Sequence, residues 1–169
     1  MFAVGDYVMK INNGVCRIDD ITHLEMSGVD KDKLYYVMTP IESGKSTLYV
    51  SVDSADRNIR SAMTSIQAEE VINAIPQIEE ACVSNDKLRE QTYKDAVKSG
   101  KPQALVSVIK TIYMRKKSRE VQGKKNTAID ERYFKQAEEL LYAEMAFALG
   151  KTKAEIYEMI SEYIKNPAQ

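Results

Sequence analysis

The chain has 169 residues, with 24 Lys and Arg against 25 Asp and Glu, and a net charge of -1, so the chain as a whole is not built to bind a polyanion. Cys16 and Cys82 lie far apart without a CxxC pair, and His23 is the single histidine. This usage fits a reducing compartment and argues against a disulfide framework, a zinc site and a Cys/His nucleophile triad. No apolar run reaches the roughly 18 residues of a membrane span, and Asp6 comes too early for a secretory signal. A soluble cytoplasmic protein is expected, with one domain or two small ones.

The first 60 residues carry strand signals. Met1–Ile21 reads as strand, tight turn, strand: Asn12-Asn13-Gly14 breaks an apolar run, and both residue types tolerate the positive φ of a short hairpin. Ser27 to Lys33 is a polar turn. Leu34–Met38 is a third strand, Thr47–Val52 a fourth, and Asn58-Ile59-Arg60 a short fifth. About 60 residues bury only a thin core, so this unit is marginal alone.

From Thr64 the period becomes helical. Thr64-x-x-Gln67 is a capping-box pattern followed by Val71, Ile72 and Ile75, and Pro76 interrupts. Asn85 can cap a helix running through Val97, ended by Ser99-Gly100 with Pro102 beyond. Leu105, Val108, Ile109, Ile112 and Tyr113 follow helical spacing, Gly123 to Thr127 is a loop, and Phe134, Ala137, Leu141 and Met145 line the next helix up to Gly150. Thr152-x-x-Glu155 opens a last helix with Ile156, Ile160 and Ile164 on one face.

The residue pattern of the opening is more specific than its periodicity. Phe2, Val4, Gly5, Asp6, Val8, Gly14, Val15, Ile18 and Ile21, at this fixed spacing, resemble the start of the CarD family of bacterial transcription regulators. The same module resembles the polymerase-binding domain of the transcription-repair coupling factor. Val50-Ser51-Val52-Asp53, Ala55 and Ile59-Arg60 look like the family's close of its barrel. Arg89 and Tyr93, Ser99-Gly100, a helix ending in basic residues, a loop, then Ala137, Leu141 and Glu144 look like its helical C-terminal domain. The resemblance covers Met1 to about Leu149. It implies an α+β protein: an N-terminal Tudor-like small β-barrel, residues 1–64, that interacts with RNA polymerase, followed by an all-helical C-terminal bundle, residues 65–169, that binds DNA.

In the resembled family the barrel pairs with the polymerase β subunit by its edge. The expected polymerase-binding residues are therefore Thr47, Leu48, Tyr49 and Val50 in the fourth strand. The helical domain binds DNA at the upstream edge of the melted promoter bubble, where a tryptophan near the start of its first helix commonly wedges. This chain has no tryptophan, and spacing puts Asp86, preceded by Asn85, at that position. Asn85, Asp86 and Arg89 are thus expected at the DNA.

Charge points to a second stretch. Lys110–Lys125 holds seven basic residues against the single acid Glu120, whereas residues 1–64 carry 7 Lys and Arg against 9 Asp and Glu. Basic residues at a helix C-terminus complement its dipole and remain solvated by default. With the resemblance, Arg115, Lys116, Lys117, Arg119, Lys124 and Lys125 are expected to meet phosphates, without sequence readout.

Other candidates read plainly. Glu138, Glu139 and Glu144 alternate with Leu140, Leu141 and Ala143, as on a solvated helix face. Tyr35, Tyr36 and Tyr49 suggest a stacking platform or half-buried barrel side chains. His23 is expected at a surface or edge. No GxxxxGK[ST] loop occurs. The expected function is a transcription regulator that binds RNA polymerase and promoter DNA and modulates open-complex stability. It is not an enzyme, and it uses no cofactor or metal, membrane or small-molecule substrate. The rival is a polymerase-binding adaptor whose helical domain does not engage DNA.

Overall fold

The computed structural model describes residues 1–81 and 85–166; Cys82 lies outside them. The chain divides into two compact units, Met1–Met63 and Thr64–Gln169.

The first unit is a curled five-stranded antiparallel sheet, half of a barrel. Its strands are β1 (Tyr7–Lys10), β2 (Gly14–His23), β3 (Leu34–Pro40), β4 (Leu48–Ser51) and β5 (Ile59–Ser61), in the order β4-β3-β2-β1-β5. Asn12 and Gly14, both at φ 73°, make the tight β1–β2 connection. One irregularity decides which side chains reach the core. Ile18 lies opposite Met38 but Asp20 lies opposite Val37, so Asp19 is an extra residue, a β-bulge. In an unbroken alternation Asp20 would follow Cys16 and Ile18 onto the core face and Ile21 would point outward. The bulge keeps Ile21 with the core of Val8, Cys16, Ile18, Tyr36, Met38, Val50, Ala55 and Ile59. Burial pushes the Cys16 thiol up from its ordinary value.

The fourth strand is shorter than the Thr47–Val52 expected from sequence. Thr47 is exposed and precedes it, and Val52 opens a 3-10 turn (Val52–Ser54) that runs into the short helix α1 (Ala55–Asn58). The ladder ends at Met38 opposite Leu48 because the next residue of β3 able to donate to β4 would be Pro40, which has no N–H. The polar run Asp53 to Arg57 between the fourth and fifth strands is helical, and Ala55 buries against the core.

The second unit is helical: α2 (Ser65–Ala74), α3 (Asp86–Ser99), α4 (Pro102–Val121), α5 (Ala128–Leu149) and α6 (Lys153–Lys165), with a 3-10 turn (Ile75–Gln77) at Pro76. Capping boxes at Thr64 and Thr152 open α2 and α6, and Asn85 caps α3 by accepting from the Leu88 N–H at 2.9 Å. Gly100 and Gly150, both at φ 61°, end α3 and α5 in the left-handed conformation. Leu105, Ile109, Ile112, Leu141, Met145 and Ile156 are among its fully buried side chains.

Two features depart from the periodic reading. The carboxylates of α5 are not one solvated face: Glu139 is exposed, Glu138 is half-buried and Glu144 is buried. Burial raises the Glu138 carboxyl, which faces the Tyr142 hydroxyl. Also, one polar face of α4 grips the segment after α2. Lys110 Nζ donates to the carbonyls of Ile75, Pro76 and Ile78 at 3.2, 3.3 and 2.9 Å. Ser107 donates to the Glu79 carbonyl at 2.7 Å, and Thr111 accepts from the Ala81 N–H at 2.7 Å. Among the described residues no helix is long and apolar enough to cross a membrane.

Candidate functional site

In the first unit, β4 is an edge strand, and its hydrogen-bonding phase follows from neighbouring bonds. Ile41 N–H donates to the Val15 carbonyl at 2.9 Å, which fixes the odd-numbered residues of β3 as those bonding β2. Ile18 N–H donating to Asp6 at 2.9 Å and Ala62 N–H to Tyr7 at 3.0 Å give the same phase across β2 and β1. The even residues of β3 therefore bond β4, so Tyr36 pairs with Val50 and Met38 with Leu48 through the ladder. Tyr49, opposite Val37, directs its N–H and C=O away from β3. Of the four residues expected at this edge, Val50 is buried, Leu48 is half-buried, and Thr47 and Tyr49 are exposed, Tyr49 to 44%.

The three tyrosines named from the sequence do not share a surface. Tyr36 is fully buried, its hydroxyl accepting from the Phe2 N–H at 3.0 Å, while Tyr35 and Tyr49 lie on the other face of the sheet. His23 is exposed; its Nδ1 sits 3.1 Å from the carbonyls of both Lys31 and Lys33, two acceptors, so Nδ1 carries the proton.

In the second unit, the start of α3, the end of α4 and the start of α5 meet at one end. Arg132 of α5 pairs with Glu90 of α3 and stacks on the Tyr133 ring, 4.8 Å from its centroid. Arg115 of α4 pairs with Asp130 of α5 at 3.1 Å. The rings of Tyr93 and Tyr133 lie 5.9 Å apart. The sequence-derived residues from α3 and from Arg115–Lys125 are therefore neighbours, but they are differently occupied. Asn85 caps α3. Asp86 and Arg89 pair with each other, and the Arg89 side chain is only 15% exposed. Lys110 is turned to carbonyls, Arg115 to Asp130, and Arg119 Nε to the Lys125 carbonyl at 2.8 Å. Lys116, Lys117, Lys124 and Lys125 are exposed, Lys117 with its Nζ 4.9 Å from the centre of the Tyr113 ring.

Asp130 is the residue that sequence reasoning missed. It has no exposed surface, although it is charged and lies in the first turn of a helix. Its signal was the spacing Thr127-x-x-Asp130, a helix-start pattern whose hydroxyl accepts from the Asp130 N–H at 3.1 Å. Burial first, and then the negative charge of Asp130, push the buried Tyr93 hydroxyl well above the ordinary tyrosine range, so it remains a proton donor. Among the described residues no group of His, Cys, Asp and Glu is arranged to hold a metal ion.

Comparison with known proteins covers both units. Residues 2–63 match the family model of the CarD-like/TRCF RID domain, and residues 70–161 match that of the CarD C-terminal domain. No curated protein matches the chain.

Proposed function

Because the chain belongs to the CarD family, we propose that it is an RNA polymerase-interacting transcription factor. On this reading residues 1–64 are a Tudor-like barrel that binds the polymerase β subunit through β4, and residues 65–169 are a helical bundle that binds promoter DNA. The supporting observation is the β4 edge, where Tyr49 offers a donor and an acceptor to an incoming strand. At the DNA, Lys116, Lys117, Lys124 and Lys125 meet phosphates, with Arg119 behind them, and the contact is independent of base sequence. Asn85, Asp86 and Arg89 lie at the same end but are engaged by capping and by each other. By binding one of the closed and open promoter complexes more tightly than the other, the protein shifts their equilibrium by its differential affinity.

The rival, an adaptor whose helical domain leaves DNA alone, is favoured by that self-satisfied start of α3. The test is a pull-down of core RNA polymerase followed by promoter titration. Wild type and a variant with Lys116, Lys117, Lys124 and Lys125 replaced by Gln are compared. Retained polymerase binding with weakened promoter binding supports the regulator; unchanged promoter binding supports the adaptor.

A further inference from the structure

The α4–α5 connection carries two lysine pairs, Lys116–Lys117 on the helix and Lys124–Lys125 on the loop, and two arginines fix one pair against the other. Arg119 accepts the Lys124 N–H at its carbonyl (2.8 Å) while its Nε donates to the Lys125 carbonyl (2.8 Å). Arg115, one residue before the helical pair, donates from Nε to Asp130 Oδ2 at 3.1 Å; Asp130 has no exposed surface and the Arg115 side chain is 28% exposed. Asp130 Oδ1 and the Tyr93 hydroxyl are both buried without a hydrogen-bond partner. One is an acceptor, the other a donor, and Asp130 stands near enough to the Tyr93 hydroxyl to help raise it, second to burial. A guanidinium already neutralised by a buried carboxylate has little charge left for a phosphate, and withdrawing it strands that carboxylate.

We propose that Arg115 and Asp130 are a positioning pair: Arg115 touches no phosphate, and the pair holds Lys116 and Lys117 in place relative to Lys124 and Lys125. This rests on the reading that those lysines meet DNA. Ser107, Lys110 and Thr111 on the same helix grip a different segment, whereas the Arg115–Asp130 pair ties α4 to α5 near the lysine-bearing end.

The experiment measures promoter affinity against salt for the full chain bound to core RNA polymerase. The variants are Asp130→Asn, Arg115→Gln/Asp130→Asn and the four-lysine Gln variant. Asp130→Asn leaves Arg115 uncompensated and loosens the turn, so the salt slope falls by about 0.9 or more, at least one phosphate contact. The double variant keeps a neutral hydrogen bond between the same positions and returns the slope to the wild-type value. If Arg115 instead contacts phosphate in the wild type, Asp130→Asn leaves that contact and the slope unchanged, while the double variant falls below wild type by about 0.9. Either result overturns the proposal. So does a lowered Tm with unchanged slope in Asp130→Asn, which is the mark of a structural pair only. Helicity is checked by circular dichroism; if Asp130→Asn does not fold, the double variant decides, a wild-type slope supporting the pair and a fallen one refuting it. A wild-type slope in the four-lysine variant defeats the DNA reading itself, independently of the pair.

Discussion

Replacing Tyr49 by proline tests the proposed polymerase-binding edge at the level of one hydrogen bond. The N–H of residue 49 points away from β3, so proline removes no bond from the sheet; the ladder contacts of Leu48 and Val50 remain. An incoming strand, however, loses the donor at position 49. Leaving the partner carbonyl unpaired costs about 1–3 kcal/mol. That raises Kd for core polymerase roughly 5- to 140-fold. Tyr49→Thr keeps the N–H and separates the ring's contribution from the backbone's. Val50→Pro is the opposite control: it removes the inward donor to Tyr36 and unfolds the strand. The assay is titration of labelled protein with core polymerase, alongside thermal melts. If Tyr49→Pro melts like wild type and binds polymerase with unchanged affinity, strand addition at β4 is wrong.

Three further outcomes follow from the packing. Deleting Asp19 removes the bulge yet leaves Cys16, Ile18 and Ile21 on the core face, so the variant folds, whereas deleting Arg17 turns Ile18 outward and Asp19 inward and unfolds the sheet; circular dichroism and thermal melts of the two deletions decide. Lys110→Met keeps the aliphatic stem but strands the carbonyls of Ile75, Pro76 and Ile78, costing the helical unit about 1–3 kcal/mol and lowering its Tm without changing polymerase affinity. Burial, with Asp130 and Glu138 second, raises Tyr93 and Tyr142 above the value near 10 that they have in the unfolded chain; their contribution is fully present below about pH 10 and is lost as pH rises beyond it. Melts between pH 8 and 11.5 should therefore show a falling Tm that Tyr93→Phe makes shallower.

What was legible in the sequence was local. The helices declared themselves through caps at Thr64, Asn85 and Thr152, left-handed stops at Gly100 and Gly150, and stripes such as Ile156, Ile160 and Ile164. The turn at Asn12 to Gly14 marked the first hairpin. What was hidden depends on distant partners. The start of β4 is set by Pro40 on another strand, and the phase of β2 by one extra residue that hydropathy does not register. Charge counting found a basic stretch but could not say which cations are already engaged. Lys110, Arg115 and Arg119 look in sequence like Lys116 and Lys117, yet they are committed to carbonyls and a buried carboxylate. Asp130 was invisible for the same reason: a carboxylate is expected in water until its guanidinium partner, fifteen residues away, is known.

If the helical unit binds DNA as proposed, this division of the cations bears on how it reaches it. A chain with net charge -1 has no long-range pull toward a polyanion, and the lysines left exposed near the α4–α5 connection are few. Alone, such a patch gives the weak affinity of nonspecific contact, on the order of 10⁻⁴–10⁻⁶ M, and salt erodes it further. Attachment to polymerase changes the arithmetic, because a partner held close presents the DNA at an effective concentration in the millimolar range. On the proposed reading, even the weak patch is largely occupied at that concentration, while free protein leaves other DNA alone. Weak, sequence-blind contacts are then an advantage, since specificity comes from where polymerase stands. The expected signature is a promoter salt dependence that appears only in the ternary complex and disappears when Tyr49→Pro releases the tether, though every lysine is intact.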